Sequence, residues 1–136
     1  MHLIRLSAST VFLFAVACGS NGYDVRGMGQ FAGADATLEV ETLEGGNALI
    51  RLRAKHLPPP ERLEPNLRTY VMWFVPEDDP ASKAAVLSYD AEARKGDAMA
   101  TTVRDMLTVR VTAEESAEVT SPGTHTVFEQ RVQIER

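Results

Sequence analysis

Few residues in this chain have the types and spacing to do chemistry. Cys18 is the only thiol, so no internal disulfide is available and the fold must be held by burial alone. His56 and His125 are the only histidines beyond His2, and neither has a partner at metal-ligand spacing such as H-x-x-x-H. His56 continues the inward parity of Ile50 and Leu52, which reads as a structural residue at a strand end. His125 follows Pro122-Gly123-Thr124 and reads as a turn residue. Glu77-Asp78-Asp79 is the densest acidic cluster, and calcium favours several oxygen ligands. Three consecutive carboxylates point in different directions, however, and no D-x-D-x-D-G loop follows. A solvated turn is the expectation there and for Glu114, Glu115 and Glu118. Ser82-Lys83 cannot be a serine–lysine dyad, because neighbours on a strand face opposite ways. No G-x-S-x-G elbow or phosphate-cradling glycine loop is present. Tyr70, Trp73 and Phe74 could form an aromatic platform, but a tryptophan on a central strand is expected to plug a sandwich core. The chain is therefore expected to be no enzyme, with no cofactor and no metal.

The surroundings of Cys18 make it an address. Met1-His2-Leu3-Ile4-Arg5 is a short basic start, and an apolar run follows from Leu6 to Ala17. That run is shorter than the roughly 20 residues a helix needs to cross a bilayer, and it has the marks of a secretory signal. Small residues at Ala15 and Ala17 immediately before Cys18 resemble the lipobox of the bacterial lipoprotein family. The third position before the cysteine, commonly Leu in that family, is Ala15. The resemblance implies that the thiol of Cys18 receives a diacylglyceryl group, with palmitate among the usual chains, and that residues 1–17 are cut away. An ordinary secretory signal, cut at Ala15 or Ala17 with a free thiol left behind, is the alternative. An unpaired thiol in an oxidising compartment would be a liability, which favours lipidation. Gly19 is not the Asp that commonly marks inner-membrane retention in the family. The expected location is the bacterial cell envelope, at the outer membrane in preference to the inner where the cell has one.

Composition narrows the partners. The 136 residues carry a formal net charge of −5, and loss of Arg5 with the signal takes it to −6. Nucleic acid demands a basic surface and is excluded as a partner. The length allows one domain and a tether. Gly19, Gly22, Gly27, Gly29 and Gly33, five of nine glycines, fall within residues 18–33. Such a stretch is expected to be a flexible tether spanning about 5–6 Å × √15, or roughly 20 Å. Tyr23, Val25 and Phe31 could still pack on the domain edge.

Residues 34–136 are expected to fold as an all-β sandwich of about seven strands. Ala36, Leu38 and Val40 alternate with Asp35, Thr37, Glu39 and Glu41. Ala48, Ile50, Leu52 and Ala54 alternate with Arg51, Arg53 and Lys55 beyond Gly45-Gly46-Asn47. Two period-two runs about a glycine turn predict a β-hairpin with acidic side chains facing basic ones. Pro58-Pro59-Pro60 ends it. Residues 70–75 are apolar throughout, as a strand buried on both faces would be. Further strands are predicted over 83–89, 97–102, 106–113 and 126–134.

From Tyr70 onward the chain resembles the extracytoplasmic domain of anti-sigma-K-type regulators. The matching pieces are Tyr70-Val71-Met72-Trp73, Val109-Arg110-Val111-Thr112-Ala113-Glu114 and Ser121-Pro122-Gly123-Thr124. The resemblance implies an immunoglobulin-like antiparallel sandwich outside a membrane. It carries no anti-sigma activity, because the chain has neither that family's helical sigma-binding part nor its transmembrane helix. The expected function is that of a lipid-anchored, non-enzymatic envelope module that binds a protein or another envelope component. An envelope sensory or regulatory accessory is the alternative. The membrane, through lipid on Cys18, is the first expected partner. Contacts to an unknown envelope partner are expected in loops 57–68, 76–82 and 114–125, among them Glu77, Asp78, Asp79, Glu114 and Glu115.

Overall fold

A computed structural model describes residues 21–136. The signal peptide expected over 1–17, and Cys18 itself, lie outside the described residues. The strands are β1 (Asn21–Arg26), β2 (Asp35–Thr42), β3 (Ala48–Lys55), β4 (Thr69–Val75), β5 (Ser82–Val86), β6 (Ser88–Asp90), β7 (Lys95–Thr102), β8 (Met106–Glu114) and β9 (Thr126–Gln133). They form two antiparallel sheets, ordered β1-β2-β3-β7-β6 and β5-β4-β8-β9. No helix among the described residues is long and apolar enough to cross a membrane.

The β2–β3 hairpin forms where the alternation places it. Gly45 and Gly46, at φ of 88° and 90°, make a turn closed by the Leu43 N–H on the Asn47 carbonyl at 2.7 Å. Side chains there must sit in left-handed backbone, which glycine adopts without a Cβ clash. Glu39 lies opposite Arg51, with Arg51 and Arg53 reaching it at 3.8 and 3.9 Å. These pairs are exposed and contribute at most about 1 kcal/mol each. The hairpin rests mainly on its other face, where Leu38, Val40, Ile50 and Leu52 are buried in the core.

Two expectations of the sequence need correction. The stretch 18–33 is not a tether throughout. Asn21–Arg26 pairs with β2 along its full length, from Asn21 opposite Val40 to Arg26 opposite Asp35. Tyr23 and Val25 face inward, and a short 3₁₀ turn at Gly29–Phe31 buries Phe31 against the Tyr70 ring. Three apolar side chains at the right parity outweigh the entropy of the glycines between them. The run 83–89 is not one strand either. It breaks at Leu87, which is buried while its N–H bonds the Tyr70 carbonyl at 2.9 Å. The chain leaves β4's sheet there and pairs as β6 with β7 in the other. Hence nine strands stand where about seven were expected.

Set aside β1, and the sheets read β2-β3-β7-β6 and β5-β4-β8-β9. This is the A-B-E-D and C′-C-F-G order of an immunoglobulin-type sandwich, with β1 added at one edge. Antibody domains bridge strands B and F by a disulfide. Here the equivalent strands, β3 and β8, fill the inter-sheet space with Ile50, Leu52, Val109 and Val111.

Candidate functional site

The two ends of the sandwich differ. One end carries the 43–47 turn, the 76–81 and 103–105 loops and the C-terminal residues. The other carries the 27–34 turn, the 91–94 turn and two long loops, 56–68 and 115–125.

The long loops are tied to the sheets and to each other by hydrogen bonds. The Tyr70 hydroxyl donates to the Pro58 carbonyl, and the Tyr89 hydroxyl donates to the Leu57 carbonyl at 2.6 Å. The two rings meet edge to face at 5.3 Å. Loop 56–68 is then stitched to loop 115–125. Asn66 donates to the Glu115 carboxylate, the Arg68 N–H bonds the Glu114 carbonyl at 2.9 Å, and His125 Nε2 lies 3.1 Å from Glu64 Oε1. The result is a continuous polar surface on fixed backbone, with Glu61, Arg62, Glu64, Glu115 and Glu118 exposed.

Burial pushes the pKa of the Tyr70 hydroxyl up, assisted by the neighbouring Tyr89 and Glu61 charges, and burial raises that of Tyr89 as well. An unfolded tyrosine titrates near 10. Above that pH the folded chain therefore holds more protons than the unfolded one, and stability falls as pH rises. Stability should be flat with respect to these groups below pH ~9 and decline beyond ~10. Tyrosinate absorbance followed beside circular dichroism is the check. Part of the absorbance should appear only with unfolding; full titration of all three tyrosines in the intact fold would contradict it.

Trp73 is fully buried, though not between the sheets. Along β4, Tyr70, Met72 and Phe74 face the inter-sheet core, which leaves Val71 and Trp73 on the outer face. The aromatic row considered from sequence is therefore split between two faces. Loop 115–125 covers the outer one. It leaves β8 at Glu114 and reaches β5, where Lys83 Nζ donates to the Ala117 carbonyl at 2.6 Å, so it passes over β4 between them. Beneath it runs a polar chain. Trp73 Nε1 donates to Thr112 Oγ1 at 2.8 Å, Thr112 donates to Glu114 Oε2 at 2.5 Å, and the Gly123 N–H donates to the same oxygen at 2.9 Å.

The other residues singled out from sequence have structural partners too. Glu114, expected on a contact loop, is the last residue of β8 and only 6% exposed, its carboxylate committed to holding the loop. Glu77 pairs with Arg131 at 2.5 Å, and Asp78 and Asp79 both pair with Arg104. His56 does not continue the inward row. Its φ of 55° turns it outward, where Nδ1 lies 2.6 Å from Asp35 Oδ1. Ser82 and Lys83 open β5 on opposite faces, beside Phe74 and Trp73 respectively. Among the described residues no group of three His, Cys, Asp or Glu side chains is placed to hold a metal ion. Every buried side-chain nitrogen and oxygen among them has a hydrogen-bond partner.

An open cleft of about 470 Å³ lies at the opposite end, floored by Phe74 and Leu107 and rimmed by Asn47, Pro80, Thr102 and Arg104. Its cation, Arg104, is already paired with two carboxylates, so it offers no free positive charge to a ligand. The exposed large apolar residues, Met28, Val86, Met99 and Val103, lie on separate elements and form no single patch.

Fold and surface together define an all-β, immunoglobulin-like sandwich whose long loops gather at one end. Comparison with protein-family models, with curated proteins and with solved structures gave no match.

Proposed function

We propose that this chain is a lipid-anchored, non-enzymatic module of the bacterial cell envelope, presenting the 56–68 and 115–125 loop end to a protein or another envelope component. The observation that carries the binding role is the stitching of those two loops into one rigid surface, because loops fixed on a scaffold are where recognition concentrates. Side chains with the chemistry to act elsewhere are tied up in the fold: Glu114 to the Gly123 N–H and Thr112, Asp78 and Asp79 to Arg104, Glu77 to Arg131. The anchor is supported by the sequence around Cys18. A single acyl chain binds a bilayer marginally, at K of about 10⁴ M⁻¹, whereas two or more hold stably.

The test of the anchor is intact mass and fractionation of the wild type beside Cys18→Ser. The wild type should partition with membranes at the mass of the chain from Cys18 plus acyl groups, and the variant should lack those groups. A soluble wild type with an unmodified thiol would overturn the reading. The binding role is tested by immobilising the purified 18–136 domain and probing envelope extracts beside a variant with Glu115 and Glu118 changed to Lys. A partner retained by the wild type and lost by the variant is expected, while equal retention would remove the role from this end.

A further inference from the structure

The register of β1 determines which end of the sandwich an anchor at Cys18 would hold. Asn21 opens β1 opposite Val40, two positions before β2 ends at Thr42. The chain therefore enters the domain beside the 43–47 turn. The same end bears the 76–81 and 103–105 loops and the C-terminal residues, bound together as one surface. Thr42 Oγ1 donates to the Glu135 carbonyl at 3.1 Å, Arg136 Nε reaches Asp105 at 2.6 Å, and Arg136 Nη2 donates to the Val103 carbonyl at 2.8 Å.

Cys18 precedes Asn21 by three positions, and three residues of chain reach at most about 10 Å. An eight-residue strand such as β3 is about 26 Å long at 3.3 Å per residue. A link that short cannot let the far end of the sandwich approach the bilayer in place of the near one.

Resting on the lipid-anchor reading, we infer that the end formed by residues 43–47, 76–81 and 103–105 faces the phospholipid surface, and that the 91–94 turn and loop 56–68, with Glu115 and His125 stitched to it, point away from it. The occupant of the near end is the bilayer itself. Val103, 74% exposed on the β7–β8 loop, is the most exposed large apolar side chain at this end. Headgroup attraction is not what holds this end down, since Glu44, Glu77, Asp78, Asp79, Asp105 and Glu135 outnumber Arg104, Arg131 and Arg136 there. The short link does so, against a repulsion screened within about 8–10 Å. The acidic residues named from sequence are thereby divided. Glu77, Asp78 and Asp79 lie on the membrane side, and Glu115 lies on the side open to a partner.

Introduced thiols test this in the full-length protein, because an acylated Cys18 leaves no other thiol to react. Val103→Cys and Ala93→Cys change exposed positions, the second in the 91–94 turn at the far end, and should not disturb folding. Each is treated with a bulky polyethylene-glycol maleimide in isolated membranes and again in detergent. Val103→Cys should label several-fold more slowly in membranes than in detergent, and Ala93→Cys at the same rate in both. A ten-residue Gly/Ser insertion after Ser20, spanning roughly 17 Å as a flexible chain, should remove the protection of Val103→Cys. Equal labelling of both positions in membranes, or protection that survives the insertion, would overturn the inference. Label taken up by the unaltered protein at Cys18 would overturn the anchor reading instead, and is seen without any introduced thiol.

Discussion

Replacing Trp73 with Ala is expected to lower the stability of the domain by about 3–5 kcal/mol, a large fraction of the roughly 5–15 kcal/mol typical of a domain. The indole is fully buried, so removing it leaves a cavity beneath loop 115–125. The polar chain beneath the loop adds to the loss, because Thr112 would lose the donor it accepts from. The position of Trp73 on the outer face gives the variant a distinctive signature. A tryptophan between the sheets would loosen both sheets at once. Here the loop should open first, so limited proteolysis should cut within 115–125 under conditions where the sheets remain folded. Denaturant unfolding followed by circular dichroism gives the magnitude. Uniform resistance of the loop in Trp73→Ala would contradict this account. Glu114→Ala should weaken the same loop by about 1–3 kcal/mol, since it leaves the Gly123 N–H without its acceptor.

Gly27→Ala should be comparably damaging for a different reason. A Cβ built at Gly27 would lie 1.7 Å from the Phe31 carbonyl oxygen and 2.7 Å from its carbon. Both are backbone atoms, so no rotamer change relieves the overlap. The 27–34 turn would have to open, yet it is held by the Gly27 N–H on the Ala34 carbonyl at 2.7 Å and the Met28 N–H on the Val127 carbonyl at 2.9 Å. Opening it withdraws Phe31 from its slot beside Tyr70. A loss of about 3 kcal/mol or more is expected, at the upper range of overpacking. Gly33→Ala is the control, for its added methyl would meet nothing within 4 Å and should cost under about 0.5 kcal/mol. Thermal melts of the two variants side by side decide the matter, and equal melting temperatures would refute the steric argument.

The sequence made the alternating strands plain and hid whatever depended on cover from outside the sheets. The β2–β3 hairpin was legible, its acidic side chains facing basic ones, because one face is polar and the period is unmistakable; the register then sets Glu39 opposite Arg51. Strands β4, β7, β8 and β9 were legible to within two residues at each end. The faces of β4 were not. A run of six apolar residues has no period, so the expectation that Trp73 plugs the core between the sheets had no parity behind it, and the indole lies on the outer face instead. The loop that buries it carries no hydrophobic pattern that would announce it as a cover. β1 was masked by its glycine-rich surroundings, and only the parity of Tyr23 and Val25 hinted at it. The break at Leu87 was invisible because an apolar residue suits a continuous strand as well as a crossing between sheets. Among the candidate residues, adjacency in sequence misled at Glu114 and Glu115, where one closes a strand and its neighbour begins the loop.

The pairing of β1 also determines how the domain would bear load. Its hydrogen bonds to β2 run across the strand, while a pull on the residues before Asn21, opposed by a grip on the far loops, acts along it. The six residue pairs of that ladder are then strained in shear and must yield together, instead of peeling one after another. Under the anchor proposed at Cys18, tension between a membrane and a distant partner would load the β1–β2 ladder in shear along its whole length.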